Sequence, residues 1–335
     1  MARPKRGQPA GEARSVAGAR SNGRPGPGEL VLMASVARRH YLQGRSNVEI
    51  AQELGLSRFK VARLLDAALT TGIVRIEITS PAGVDVELSD RVQEAYGLRH
   101  CLVVDADDPP REALLPVLGR AAAELLSEIV EPNDVLGLVW ARSVSALSAA
   151  LTTLPPVPVV QLSGALMGAD AVGWTDTGTE LVRSVAQVSG GPAYCFYAPM
   201  IVGDAGTAAA LRGQPDVARA LEQGSRVTKA VVGVGRWGAG ASTVYDALVP
   251  AERDRLSELG VCAEVAGILL DAEGNLVPSP LAERTLTVAP ERLEDIDEVL
   301  AVAYGVAKAH AVRAALRSGL VNGLVTHRGL ALALL

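Results

Sequence analysis

Aromatic residues make up only 3% of this 335-residue chain, and cysteine occurs three times. So few rings argue against a single-strand nucleic-acid binder, which stacks bases on aromatic platforms. Cys101, Cys195 and Cys262 lie far apart with no CxxC, and the four histidines form no HExxH or related spacing, so no metal site is expected. The cysteines read as buried free thiols in a reducing compartment. No apolar run approaches the ~18 residues of a membrane span, and the N-terminus lacks the apolar core of a signal peptide. A soluble, cytoplasmic protein with no membrane partner and no cofactor is expected.

What is abundant is Ala, Val, Leu and Gly, a composition suited to tight helix–sheet packing. The net charge of −5 is unevenly spread. Residues 1–28 carry +5, residues 29–80 carry +2, and the remainder carries −12. Residues 1–28, rich in Arg, Gly, Ala and Pro without hydrophobic period, read as a disordered basic arm. Such an arm either adds phosphate attraction or is an inconsequential extension.

The stretch Asn47 to Leu65 predicts two short helices joined by a tight turn. Ser46 and Glu49 have capping-box spacing, Gly55 stands where the turn needs positive φ, and Ser57 caps the second helix. Val61, Leu64, Leu65, Ala68 and Leu69 make one apolar stripe, leaving Arg58, Phe59, Lys60 and Arg63 on the other face. This is the pattern of a helix-turn-helix, whose second helix reads the major groove with its N-terminal residues. Ser57, Arg58, Phe59, Lys60 and Arg63 are the candidate DNA contacts; an ordinary helical hairpin with a solvated basic face is the alternative. Leu30 to Leu42 predicts a preceding helix with Leu32, Met33, Val36, Ala37 and Tyr41 inward. Alternation over Ile73 to Ile78 predicts a strand, a small wing beside the reader. Pro81-Ala82-Gly83 marks the boundary between residues 29–80 and a second domain, 84–335.

From Val84 onward apolar strands alternate with helices. Strands are expected at His100–Val104, Asp134–Val139, Val157–Leu162, Ala193–Phe196, Lys229–Val234, Val265–Leu270, Val299–Ala303 and Leu320–Val325. That order implies a mainly parallel, Rossmann-like sheet covered on both faces, with ligands at the strands' carboxyl ends. In the loop Gly137 to Ser143 a strand ends and a helix begins. Its free N–H groups, the Ser143 hydroxyl and Arg142 form an anion site, or else a plain turn with a surface arginine. Trp140 shares that loop, and Ser163-Gly164 ends the next strand. Gly233-Val-Gly235-Arg-Trp-Gly238 matches the dinucleotide fingerprint by letter but lacks the following strand with a terminal acid. Gly233 and Gly235 read instead as backbone lining a ligand cleft. Lys308, following the strand Val299–Ala303, meets a phosphate or sugar oxygen, or faces solvent. Glu264 accepts a sugar hydroxyl, or is a surface acid.

The helix-turn-helix, short strand and α/β domain, in that order, resemble the sorbitol-operon regulator (SorC) family over residues 29–335. The similar pieces are EIAQELGLSRFKVARLLDAALTTGIVRIEI, VLGLVWARS, VVQLSG, YAPMIV, AVVGVG, LLDAEGNLV and AYGVAKAHAVRAALRSGLVNGLVT. The resemblance implies an effector domain related to sugar-phosphate isomerases and glucosamine-phosphate deaminases, tetrameric DNA binding, and a sugar or sugar-phosphate effector. It places Arg142, Ser143, Gln161, Gly164, Glu264 and Lys308 around that effector. Two departures stand out: Tyr304-Gly305 where the family has a glycine pair, and Thr326-His327-Arg328 where it has Thr-Asp-Glu. The second is expected to change the ligand's polarity preference. The expected protein is a non-enzymatic regulator, dimeric or tetrameric on double-stranded operator DNA. The alternatives are an isomerase or deaminase fused to a DNA reader, and a DNA binder whose large domain only oligomerises.

Overall fold

The computed structural model describes residues 25–76, 83–166 and 178–335. Most of the expected basic arm therefore lies outside the described residues. The chain forms two compact units, residues 1–79 and 80–335.

In the first unit α1 (Pro27–Ala37) runs into a π-helical turn (Arg38–Leu42), followed by α2 (Asn47–Leu54) and α3 (Arg58–Thr70). Pro27 fits a helix start because it needs no N–H partner there. The capping box forms in full: Ser46 Oγ accepts from Glu49 N (3.3 Å), and the Glu49 carboxylate accepts from Ser46 N (2.8 Å). Gly55 ends α2 at φ 64°, a left-handed conformation that glycine adopts without steric cost. Met33, Val36, Ile50, Ala51, Val61, Leu64, Leu65 and Ala68 form the core. Two inward assignments fail. Tyr41 is 39% exposed, since the wide π turn, with Gln43 N bonded to Arg38 O, advances the helix out of its 3.6 register, and Leu69 is 41% exposed.

The expected wing strand is not formed over Ile73 to Ile76. Gly72 turns the chain back, Val74 N bonds to Ala68 O (2.9 Å), and Ile73 and Val74 cover the helical core instead of pairing in a ladder. Glu77 and Ile78 lie outside the described residues.

The second unit is an α/β domain. Its elements begin with α4 (Val86–Tyr96), β1 (His100–Val104), α5 (Arg111–Ile129), β2 (Leu136–Leu138), α6 (Arg142–Ala150), β3 (Val159–Gln161), α7 (Gly178–Ser189) and β4 (Ala193–Tyr194). They continue with β5 (Lys229–Val232), β6 (Val234–Arg236), β7 (Ala263–Val265), β8 (Ile268–Leu270), β9 (Glu298–Val302) and β10 (Gly323–His327). Seven strands form a parallel sheet in the order β1-β10-β9-β5-β2-β3-β4. Successive residues face opposite ways, as a strand's period of two requires. Ala230, Val232, Val299 and Ala301 join one core, while Val231, Leu300 and Val302 join the other. The order reverses between β2 and β5: β3 and β4 follow β2 to one side, β9 and β10 follow β5 to the other.

A smaller antiparallel sheet, β6-β7-β8, departs from the expected single parallel strand over Val265–Leu270. Ala266 (φ 55°) and Gly267 (φ 81°) break that run into a hairpin. Likewise Gly233 divides Lys229–Val234 into β5 and β6.

Candidate functional site

On α3, Ser57 Oγ accepts from Lys60 N (3.2 Å), fixing the first turn. Arg58, Phe59, Lys60 and Arg63 are all exposed. The acids of α2 are engaged elsewhere, Glu53 with Arg39 (3.1 Å) and Glu49 with Arg45 (3.6 Å). Among the described residues no acid lies within ion-pair distance of Arg58, Lys60 or Arg63, so α3 presents a net positive first turn and a half.

In the α/β unit the cavity opens at the carboxyl ends of the neighbouring strands β2 and β5, whose onward connections run to opposite sides, the topological switch point at which open α/β sheets bind ligands. The loop after β2 brings Trp140, Ala141 and Arg142 to its edge, and the start of α6 adds Ser143. Gly233, ending β5, must be glycine because a Cβ there would fall 2.5 Å from Ala141 Cβ. Ser163 and Gly164 enter from β3, and Tyr304 and Lys308 from the segment after β9.

Glu264 on β7 stands opposite Gly235 on β6. A Cβ at Gly235 would lie 2.0 Å from Glu264 Oε1, so glycine leaves room for the carboxylate. The carboxylate accepts from Ser242 Oγ (3.1 Å) and from Gly267 N (3.0 Å). Burial pushes its pKa up, opposed by those two hydrogen bonds and by the Lys308 charge. Lys308 donates from Nζ to Val234 O (2.8 Å), and Nζ sits 4.9 Å from the centre of the Tyr304 ring. The residue is part-buried, and burial of the ammonium lowers its pKa to about 8, against the pull of Glu264 and with help from Arg142 and Arg236. The cavity thus sets a buried carboxyl whose pKa burial raises beside an amine whose pKa burial lowers.

Not every expected residue faces the cavity. Gln161 is buried outside its lining: Nε2 donates to Ser163 O (2.8 Å), and Oε1 accepts from Thr179 Oγ1 (3.2 Å) and Phe196 N (3.3 Å). It shapes the Ser163 turn. Ser143 lines the cavity, but its hydroxyl donates to Val302 O (2.6 Å), tying α6 to the end of β9.

His327 and Arg328 do not line the cavity. His327 is fully buried; Nε2 accepts from Gly305 N (3.0 Å), and Nδ1 faces the Asp107 carbonyl. Arg328 lies at the surface against Asp105 (3.0 Å) and Asp85 (3.7 Å). The expected direct effect of these two on ligand polarity therefore does not follow; His327 supports the Tyr304-Gly305 backbone instead.

Ser242 and Gly267 were not legible as site residues. Ser242 carries only the signal of a helix cap, which it also provides by accepting from Tyr245 N (3.2 Å). All three cysteines are free thiols, but each is only part-buried rather than buried as expected. Among the described residues, no helix is long and apolar enough to cross a membrane, and no group of three His, Cys, Asp or Glu is placed to hold a metal ion.

A cavity at a switch point, in one chain with a compact basic helical unit, is the arrangement of a ligand-binding α/β domain joined to a small helical one. Residues 80–335 match the family described as "Putative sugar-binding domain". The chain belongs to the SorC family of sugar-binding transcriptional regulators. It is 30% identical over 301 residues to the erythritol catabolism regulatory protein EryD of Brucella abortus (strain 2308), covering 88% of this chain and 93% of that one. It is 26% identical over 314 residues to the sorbitol operon regulator of Klebsiella pneumoniae, covering 90% and 96% respectively. The crystal structure of full-length SorC from Klebsiella pneumoniae shares the fold, with TM-score 0.70 at 23% identity, covering 92% of this chain and 99% of that one.

Proposed function

We propose that this protein binds double-stranded operator DNA through α3 and that a sugar or sugar phosphate in the switch-point cavity sets its affinity for that DNA. The observation that carries the effector reading is the pairing of Glu264 and Lys308 in one cavity, with Arg142 at its edge. A polyol offers hydroxyls that both donate and accept, matching a buried carboxyl and a buried amine that line one cavity. A phosphate would add charge-assisted contacts to Lys308, Arg142 and the N–H groups at the start of α6. Trp140, Ser163, Gly164, Gly233 and Gly235 shape the walls, and Gln161 acts through Ser163. In the reader unit, Ser57, Arg58, Phe59, Lys60 and Arg63 face the groove. The α2–α3 pair with its capped second helix supports a helix-turn-helix assignment. The small reader has little surface to spare, so we assign self-association, a dimer or tetramer, to the α/β unit, as reading two half-sites requires.

We read the cavity as binding rather than catalytic. The acid that isomerase or deaminase chemistry is expected to place at the last strand's end is absent. His327 occupies that place and is turned into the protein, with both ring nitrogens engaged. The test is a thermal-shift screen of polyols, sugars and sugar phosphates. A ligand at 100 times its Kd adds about 2.7 kcal/mol of stability. No shift with any of them rejects the effector reading, and turnover of a sugar phosphate restores the enzyme reading.

A further inference from the structure

The chain has two phenylalanines. Phe196 is buried in a core, at 1% exposure, whereas Phe59 is 69% exposed on α3. The helix does not need Phe59 for its own packing, because Val61, Leu64, Leu65 and Ala68 already seat it. Phe59 is the second residue of α3, in the turn that reaches base edges when such a helix enters the major groove. The Arg58 guanidinium lies 4.9 Å from the ring centre, a cation–π contact that steadies both side chains. The first turns of the same helix also expose Lys60 and Arg63, cations with no acid partner among the described residues, with Asp66 a turn further on. An apolar protein partner would meet that rim as unpaired charge, whereas DNA complements it. On the base edges of the major groove the apolar group is the thymine methyl.

We infer that Phe59 reads a thymine methyl in each operator half-site, with Arg58 held beside it toward the neighbouring base. This rests on the DNA-reading assignment of α3 and specifies a base at one operator position.

The experiment uses the full chain and a duplex that it enriches from a randomised DNA pool. Each thymine is replaced in turn by deoxyuridine, which deletes only the methyl group. Wild type should lose about fourfold in affinity at one position per half-site, the change expected for one buried methyl. Phe59→Ala should bind more weakly, be indifferent to deoxyuridine at that same position, and keep the wild-type salt dependence because phosphate contacts are untouched. Unchanged circular dichroism of the variant checks that the exposed substitution leaves the fold intact. Wild type indifferent to deoxyuridine at every thymine overturns the inference, as does equal sensitivity in Phe59→Ala. Failure of wild type to enrich any duplex overturns the DNA-reading assignment itself.

Discussion

Replacing Lys308 by methionine keeps most of the side-chain volume and removes the buried amine. In the folded protein burial lowers this lysine to about 8; in the unfolded chain it titrates at roughly 10.4. Between those values the unfolded state holds a proton that the folded state has released. Stability therefore rises with pH across that window, and the lysine's penalty is fully present below it. The shift corresponds to a gain on the order of 3 kcal/mol for wild type relative to Lys308→Met as pH is raised from neutrality to the unfolded value. Arg142 and Arg236, which contribute to the shift, stay charged throughout. Urea unfolding followed by tryptophan fluorescence suits the measurement, because Trp140, Trp174 and Trp237 all lie within residues 80–335. The same titration predicts that affinity for a sugar phosphate falls above pH 8, where the ammonium is lost. Parallel stability curves for the two proteins from neutral to alkaline pH would refute the burial argument and return Lys308 to the surface.

Gly235→Ala should drive its Cβ into the Glu264 carboxylate, which would lie 2.0 Å away. Leaving Ser242 or Gly267 unpaired costs roughly 1–3 kcal/mol, read as a lower midpoint in the α/β unit and weaker effector binding; an unchanged midpoint would count against the Glu264 geometry. Gly55→Ala meets no atom within 4 Å, so its cost is only the left-handed backbone, about 1 kcal/mol, seen in the helical unit by circular dichroism with effector affinity unchanged. Arg58→Ala should cost operator binding about 1–3 kcal/mol and relax sequence preference if the side chain reads a base; footprints identical to wild type would remove Arg58 from the interface.

Local chemistry was the legible part of this protein. Ser46 with Glu49, Gly55 and Ser57 act over three or four residues, so the sequence alone carries their geometry, and the strand runs around Val231, Leu300 and Val325 carry theirs. The switch-point rule likewise brings Arg142 and Lys308 together from distant segments. Direction of side chains was harder. Ala266 at positive φ is not a turn signal, so the β7–β8 hairpin stayed hidden within one apolar run. The family resemblance places Gln161 at the effector, and the departure from it gives His327 an effect on the ligand, yet long-range backbone partners, Phe196 N and Gly305 N, turn both inward. The Ser242–Glu264 contact spans 22 residues and has no local signature.

Fluorescence anisotropy reads directly whether one cavity couples a sugar effector to DNA affinity. An enriched operator duplex would be titrated with wild type and Lys308→Ala, each with and without the effector found by thermal shift. Coupling of this kind is typically about 1–3 kcal/mol, or roughly 5- to 150-fold in affinity. Wild type should show such a change, and Lys308→Ala an unchanged affinity without effector together with loss of the response. An effector that binds the wild-type cavity by calorimetry yet leaves DNA affinity unaltered, or a full response in Lys308→Ala, would contradict that coupling.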